Sequence, residues 1–138
     1  PAAVMVSKRM LLRTFIISCF IALTTPVLAQ EVPIVTLGAL NKITAKLETL
    51  NVARDETVKF GTLEITMRNC RSNPPEETPE SVAFLEITDL GHVGEPHKIF
   101  SGWMFASTPA VSPLEHAVYD VWVTDCKMVD PSASSDSE

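Results

Sequence analysis

Apolar residues recur at every second position over most of the chain from residue 36 onward, and helical spacing is hard to find. A period of two places one set of side chains on one face of a β-strand. The clearest example is residues 62–70, where Leu63, Ile65 and Met67 alternate with polar side chains. This pattern predicts a half-buried strand whose three apolar side chains lie in the core.

Five further segments have the composition of strands; they are residues 47–52, 57–60, 82–88, 98–105 and 118–126. Residues 118–126 carry apolar side chains on both faces, which predicts a central strand that is buried on both sides. Residues 54–56 supply a polar turn between two of the strands. Gly61 interrupts the pattern where a tight turn or a bulge is expected.

The remaining segments are rich in proline, glycine and charge. Residues 73–80 include three prolines, which cannot donate to a sheet, so we expect a solvated extended loop. Residues 89–96 form a second loop, and residues 106–117 are expected to hold at most one short helical turn, at residues 113–116. About seven short strands with frequent turns predict an all-β fold, either a small antiparallel β-sandwich or a partly closed barrel.

The amino-terminal residues have three zones of different chemistry. Basic side chains come first, an apolar run at residues 15–23 follows, and small residues end at Ala29. This order is typical of a secretory signal peptide. We therefore expect residues 1–29 to be removed by cleavage before Gln30, and the protein to be periplasmic.

Two membrane-attached alternatives are weaker. A spanning helix needs about 20 apolar residues, whereas the uninterrupted run at residues 15–23 has nine. A lipoprotein signal would end at Cys19, but Arg13 is too close to leave room for an apolar region. We therefore expect no stable transmembrane anchor after cleavage. The chain begins without methionine, and we expect its natural start at Met5 or Met10.

Residues 30–130 are expected to form a single acidic domain, followed at residues 131–138 by a disordered tail that has nothing to bury. From residue 30 to the end, eight basic side chains face seventeen acidic ones, a formal charge of −9. Nucleic acids and anionic lipids are bound by basic patches. Neither is therefore expected as a partner, and the charge mainly favours solubility.

Cys70 and Cys126 are the two cysteines that follow the predicted signal. Thiols pair in an oxidising compartment, so we expect one disulfide that staples the fold. The spacing differs from the Cys-x-x-Cys of redox catalysts and from the close cysteine pairs of zinc sites, so a structural bridge is favoured. Trp122 precedes Cys126 by four residues and is expected on the same strand face, near the sulfurs.

The chain resembles a family of exported bacterial proteins catalogued as domain of unknown function 2155. The segments that carry the resemblance are VKFGTLEI at 58–65, Cys70 before the proline loop, AFLEI at 83–87, FSGWMFAS at 100–107 and YDVWVTDC at 119–126. They extend over about residues 40–127, nearly the whole expected domain. The resemblance implies an envelope location and one compact domain with two cysteines, and it implies no activity, cofactor or catalytic residue.

A candidate binding surface consists of four aromatic residues, Trp103, Phe105, Tyr119 and Trp122. Tryptophan and tyrosine dominate binding hot spots, and Gly102 leaves space for a close approach. Alternation places Trp103 and Phe105 on one face of their strand. The competing interpretation is that the aromatic residues of segment 100–105 belong to the core, where large apolar side chains usually lie, and we favour it for this segment.

Hydrolase chemistry is the alternative to a binding role. His116 and Asp120 are four residues apart, and Ser101 or Ser112 is a conceivable nucleophile. Such a triad needs all three groups within hydrogen-bond reach. The Gly-x-Ser-x-Gly motif of a nucleophile elbow is missing from the sequence, so this alternative is disfavoured.

Metal chemistry has a similarly weak basis. His92 and His97 flank Glu95 in a glycine loop, and imidazole suits copper or zinc, but a third fixed ligand is not evident. We expect no metal, no cofactor and no catalytic residues. The leading hypothesis is a non-enzymatic envelope binding or structural domain that presents an aromatic β surface and acidic loops to a protein or cell-wall partner. A small hydrolase or metal-dependent enzyme using His116 with an acidic neighbour is the alternative.

Overall fold

The computed structural model describes residues 23–26, 30–91 and 95–130. The predicted signal segment, apart from residues 23–26, lies outside the described residues, and so do His92 and the acidic tail. Within the described ranges, no helix is long and apolar enough to cross a membrane.

The described residues fold into seven strands and one short 3-10 helix, η1. In chain order they are β1 (Val32–Asn41), β2 (Lys46–Ala53), β3 (Thr57–Phe60), β4 (Leu63–Ser72), β5 (Ser81–Asp89), β6 (His97–Phe105), η1 (Pro109–Val111) and β7 (Tyr119–Val129). A three-stranded sheet has the order β2-β1-β7, and a four-stranded sheet has the order β3-β4-β5-β6. All pairings are antiparallel. The fold is therefore the predicted all-β sandwich, not a closed barrel.

The core is formed by the facing sides of the two sheets. Alternate residues of β1, β4 and β5 are fully buried, including Leu37, Ile65 and Leu85. Leu63, Ile65 and Met67 occupy the core as their alternation predicts. Removing this much apolar surface from water is the main stabilising contribution in a domain of this size.

One expectation about the sheets is wrong. β7 is an edge strand of the smaller sheet, not a central one, and the alternation does not single out β1, which is the actual central strand. The outward apolar side chain of β7 that suggested two-sided burial is Trp122, which lies half-buried over Gly38 of β1. A large aromatic side chain lying flat on a glycine thus imitates the pattern of a strand covered by a second layer.

A bulge precedes each disulfide cysteine. In β4 the register slips at Arg68, and in β7 it slips at Thr124. Each extra residue reverses the alternation, so Cys70 and Cys126 both point inward and form a disulfide between the two sheets, with a Cα–Cα distance of 5.9 Å. The predicted staple is confirmed.

The same bulge overturns a second expectation about β7. Trp122 pairs with Gly38 on the outer face, whereas Cys126 lies inward opposite Val35. Trp122 is therefore not on the face of the sulfurs, because Thr124 shifts the alternation between them.

The proline loop agrees with its prediction, whereas the short helical turn lies elsewhere than predicted. Residues 73–79 are exposed, as expected for the proline loop. The short helix is η1 at Pro109–Val111 rather than at residues 113–116. Proline is well suited to the first position of a helix because its missing N–H is not needed there, which favours a start at Pro109.

Candidate functional site

An apolar groove of about 450 Å³ lies between β6 and β7, the edge strands of the two sheets. β6 contributes Met104 and Phe105, and β7 contributes Trp122 and its neighbours. The segment that joins these strands supplies Pro109 and Pro113. Asp120 adds one carboxylate to this lining. Ligand pockets of proteins are typically of this kind, mostly apolar with a few polar groups that fix orientation.

Trp122 is held in the groove by its position over Gly38. A Cβ atom at Gly38 would lie 2.3 Å from the indole Cε2, so only glycine leaves space for the ring. The two residues are also partners in the register of β1 and β7. One face of the indole is therefore fixed against the sheet, and the ring contributes a rigid apolar wall to the groove.

Trp103 has a different environment. Trp103 is 39% exposed, and its ring packs edge-on against the ring of Phe84 with a distance of 5.5 Å between the ring centroids. The favoured core interpretation of segment 100–105 is wrong for this residue, because Trp103 points away from the core on the outer face of the larger sheet. The core interpretation is correct for Phe100, which is partly buried and packs against the core.

Tyr119 is the fourth member of the predicted surface, and it lies away from the groove. Its hydroxyl covers Gly61, which has a φ of 57° and would place a Cβ atom 2.3 Å from the Tyr119 hydroxyl oxygen. The ring also meets Phe60 edge-on at 5.5 Å. The four aromatic residues thus divide among three places, and only Phe105 and Trp122 share the groove.

A polar pocket, which we name the Asp89 pocket, lies at the beginning of β7. It has a volume of about 530 Å³, and its lining includes Thr62, Asp89, His116 and Tyr119. Asp89 is 3% exposed. Its carboxylate accepts hydrogen bonds from His116 Nε2 at 2.9 Å, from Thr62 Oγ1 at 2.8 Å and from the Gly91 N–H at 2.8 Å.

These three donors stabilise the ionised carboxylate. The His116 hydrogen bond has the largest effect, and together with the Gly91 N–H and the Thr62 hydroxyl it lowers the pKa of Asp89 to about 2. Burial opposes this change, because it disfavours the charged form. Asp89 is therefore a permanently ionised anchor at neutral pH and cannot supply a proton there.

His116 is equally occupied. Its Nδ1 accepts hydrogen bonds from the backbone N–H groups of Val118, at 3.0 Å, and Tyr119, at 3.1 Å. This network assigns the proton to Nε2, which donates it to Asp89. A general base needs a free nitrogen lone pair within reach of the nucleophile, and both ring nitrogens of His116 are already engaged.

The triad considered from the sequence is not assembled. The acidic partner of His116 is Asp89, whereas Asp120 lines the groove. Ser101 is exposed on the outer face of β6 opposite Glu86, and Ser112 directly follows η1. The arrangement around His116 therefore fits a structural role better than hydrolysis.

The metal hypothesis gains no support from the described residues. His97 begins β6 and pairs in register with Asp89. No group of three or more His, Cys, Asp or Glu side chains able to hold an ion occurs in the part of the chain that the structure describes. His92, the other histidine of that hypothesis, lies outside it.

A polar cluster surrounds the disulfide. The hydroxyls of Ser72 and Ser81 are 2.6 Å apart, and Ser72 Oγ donates to the Cys126 carbonyl at 2.7 Å. Asp125 Oδ1 accepts hydrogen bonds from Ser81 Oγ and from the Cys126 N–H. These contacts join the two sheets and provide hydrogen-bond partners for the backbone carbonyl and N–H of Cys126.

Sequence reasoning identified two residues of the groove, Phe105 and Trp122, and missed the others. Pro109, Pro113 and Asp120 come together only because η1 lies beside the ends of two edge strands. Asp89 was also missed as the partner of His116, because 27 residues separate them. The sequence does mark this connection, because Pro109 and Pro113 interrupt residues 106–117 and fix the backbone there.

The comparisons with known proteins give a family. A family model described as an uncharacterized protein conserved in bacteria, domain of unknown function 2155, matches residues 35–126. The chain therefore belongs to this family. An uncharacterized protein of Rickettsia prowazekii (strain Madrid E) is 32% identical over 88 residues, which are 64% of this chain and 57% of the Rickettsia protein. The chain thus spans little more than half of that relative. No solved structure matches the chain.

Proposed function

We propose that this protein is a non-enzymatic binding domain of the bacterial cell envelope and that the groove between β6 and β7 holds its partner. The observation that carries the proposal is the groove itself, an apolar cavity of about 450 Å³ bordered by two edge strands and walled by Trp122 and Phe105. Rigid aromatic side chains of this kind supply most of the energy at binding sites.

Two further observations support the proposal. The conspicuous polar pair of the molecule, Asp89 and His116, is saturated by structural hydrogen bonds. The disulfide between Cys70 and Cys126 is suited to an oxidising compartment, which agrees with the signal-like order of the first 29 residues.

Position-specific photocrosslinking in living cells tests the binding site. A photoreactive residue replaces Val111, which is 69% exposed and adjoins the groove residue Ala110. A matched probe replaces Ile43, which is 76% exposed in the turn between β1 and β2. We expect a discrete adduct from position 111 that disappears when Ala110→Trp fills the groove, and none from position 43. Equal labelling from both positions would contradict a groove-directed partner.

The compartment is tested separately. We expect osmotic release of the periplasm to liberate the protein with its amino terminus at Gln30 and without free thiols at Cys70 and Cys126. Recovery in the cytosol with both thiols free would refute the envelope location.

A further inference from the structure

Asp120 and Trp122 project from the same face of β7. In the register of β1 and β7, Asp120 lies opposite Leu40 and Trp122 lies opposite Gly38, with no shift between the two pairs. Side chains two residues apart on a strand share one face and are about 7 Å apart. Both residues line the groove. A carboxylate and an indole ring are therefore neighbours in its wall.

The indole of Trp122 has one face available for a ligand. Its other face lies on Gly38, where a Cβ atom would come within 2.5 Å of the indole Nε1. The face of an aromatic ring carries a negative potential, and tryptophan attracts a cation placed over its ring more strongly than tyrosine or phenylalanine does. Because the glycine contact already fixes the ring, a ligand loses little free energy in ordering it.

The Asp120 carboxylate differs from those of Glu48 and Glu86, which form ion pairs with lysine or arginine side chains. In the part of the chain that the structure describes, Asp120 forms neither an ion pair nor a side-chain hydrogen bond. The Lys42 ammonium, at the end of β1, donates instead to the His116 carbonyl at 2.7 Å. Within the described residues, the negative charge in the groove is therefore not neutralised by a salt bridge.

The chemistry of this wall selects a guanidinium group. A carboxylate beside an aromatic face attracts a cation, and the formal charge of −9 from residue 30 onward adds to the attraction. A guanidinium is planar, stacks on aromatic faces and has a fork of N–H donors that fits a carboxylate, whereas an ammonium is compact and strongly hydrated. The apolar lining, which includes Phe105 and Pro109, is suited to the methylenes of an arginine.

We propose that the groove binds an arginine side chain of a partner protein, with the guanidinium stacked on Trp122 and hydrogen-bonded to Asp120. The methylenes of the arginine and an adjacent apolar side chain of the partner pack against Phe105. This inference rests on the proposed binding function and identifies the partner as a protein that presents an arginine next to an apolar residue. Arginine and tryptophan are among the residues that contribute most to the free energy of binding at protein interfaces.

Two small compounds isolate this contact. Butylguanidinium carries the charged group on an apolar stem, and butylurea has nearly the same shape without the charge. The disulfide-bonded protein carries Trp103→Phe, which leaves Trp122 as the single tryptophan, so its fluorescence reports binding. We expect butylguanidinium to bind at millimolar concentration. Butylurea should bind about tenfold more weakly, because the charge-assisted hydrogen bonds and the cation–π contact are lost.

Two carboxylate variants locate the charge that is responsible. Asp120→Asn should reduce the tenfold preference for butylguanidinium to about twofold, because the ionic partner is lost while the contact with the indole remains. Glu64→Gln is the matched control, since it removes one negative charge from β4 of the other sheet, where Glu64 pairs with Lys59. It should leave the preference unchanged. In cells, the adduct from position 111 should be lost with Asp120→Asn and retained with Glu64→Gln.

Several results would overturn the arginine proposal. These are equal binding of the two compounds, a preference that Asp120→Asn leaves unchanged or that Glu64→Gln removes equally, an adduct from position 111 that persists with Asp120→Asn, and an adduct with a cell-wall glycan instead of a protein. In each case an adduct that Ala110→Trp abolishes would still support the proposed binding function. If no groove-dependent adduct forms, both proposals fail.

Discussion

The groove and the Asp89 pocket adjoin the same half of β7, yet they use the strand in opposite ways. In each, an aromatic side chain of β7 covers a glycine, Trp122 over Gly38 in the groove and Tyr119 over Gly61 beside the pocket. In the pocket the Asp89 carboxylate and both ring nitrogens of His116 are hydrogen-bonded within the protein, whereas the groove is lined mostly by apolar side chains. Buried polar groups that are hydrogen-bonded stabilise the fold, whereas a mostly apolar groove with one carboxylate is where binding is expected.

The largest loss of stability is expected on removal of the disulfide, which joins the two sheets that carry both the groove and the Asp89 pocket. Replacing Cys70 and Cys126 together by alanine should lower the free energy of unfolding by about 4 kcal/mol, because it frees a loop that now spans a sequence separation of 56. Urea denaturation of the oxidised protein and the double variant measures this. A loss below about 1 kcal/mol would show that the hydrogen bonds of Ser72 and Ser81 join the sheets without the bridge.

The two covered glycines compare the regions directly. Gly61→Ala should cost about 3 kcal/mol, because alanine meets both the Tyr119 ring and an unfavourable φ of 57°. Gly38→Ala should cost about 2 kcal/mol, because it displaces Trp122 without a strained φ. Thermal and urea unfolding of both variants test the order. A larger loss at Gly38 would mean that the packing of Trp122 on Gly38 contributes more stability than the packing of Tyr119 on Gly61.

The pH dependence of stability tests whether the ionised Asp89 carboxylate stabilises the fold. The pKa of Asp89 is lowered from 3.8 to about 2, so its stabilisation is complete above about pH 5 and is lost as the pH falls toward 2. The corresponding contribution is about 2 kcal/mol. Asp89→Asn should therefore be less stable than the unsubstituted protein at pH 7 by about this amount, with the difference shrinking below about pH 5.

Asp120→Asn is the matched control for that measurement, because Asp120 faces the groove. It should change stability by less than about 0.5 kcal/mol. If both variants lost stability equally and with the same pH dependence, Asp89 would not differ from Asp120 in its contribution to stability, and its assigned structural role would be wrong.

The smallest effect on stability should accompany a complete effect on binding. Ala110 is exposed in η1 and lines the groove, so Ala110→Trp should fill the groove while changing the unfolding free energy by less than about 0.5 kcal/mol. Val111→Trp places the same side chain one residue away and outside the lining, and it should leave binding intact. Loss of binding with both variants would indicate damage to η1 rather than occlusion of the groove.

Several features of this fold followed from residue patterns alone. The alternation of Leu63, Ile65 and Met67 predicts β4 and its buried face, and the prolines of residues 73–80 predict an exposed loop. Pattern reasoning failed at β7, since the outward Trp122 gave it the appearance of a central strand. It also failed at Trp103, because hydrophobicity does not reveal which face of a strand is covered.

The candidate site was less accessible to such reasoning. The bulge at Thr124 separates Trp122 from Cys126, and a bulge is not visible in a period of two. The Asp89 and His116 pair joins the end of β5 to the segment before β7, which only the packing of two sheets brings together.

Residue patterns were sufficient to predict the class of fold, because alternation and turn residues act locally. They were sufficient for the disulfide too, because only two cysteines follow the predicted signal. Packing of the two sheets settles which strands lie at the edges, which aromatic side chains face solvent, and which side chains line the groove. Those properties depend on the register between strands distant in sequence and on how two sheets face each other, so they exist only once the chain has folded.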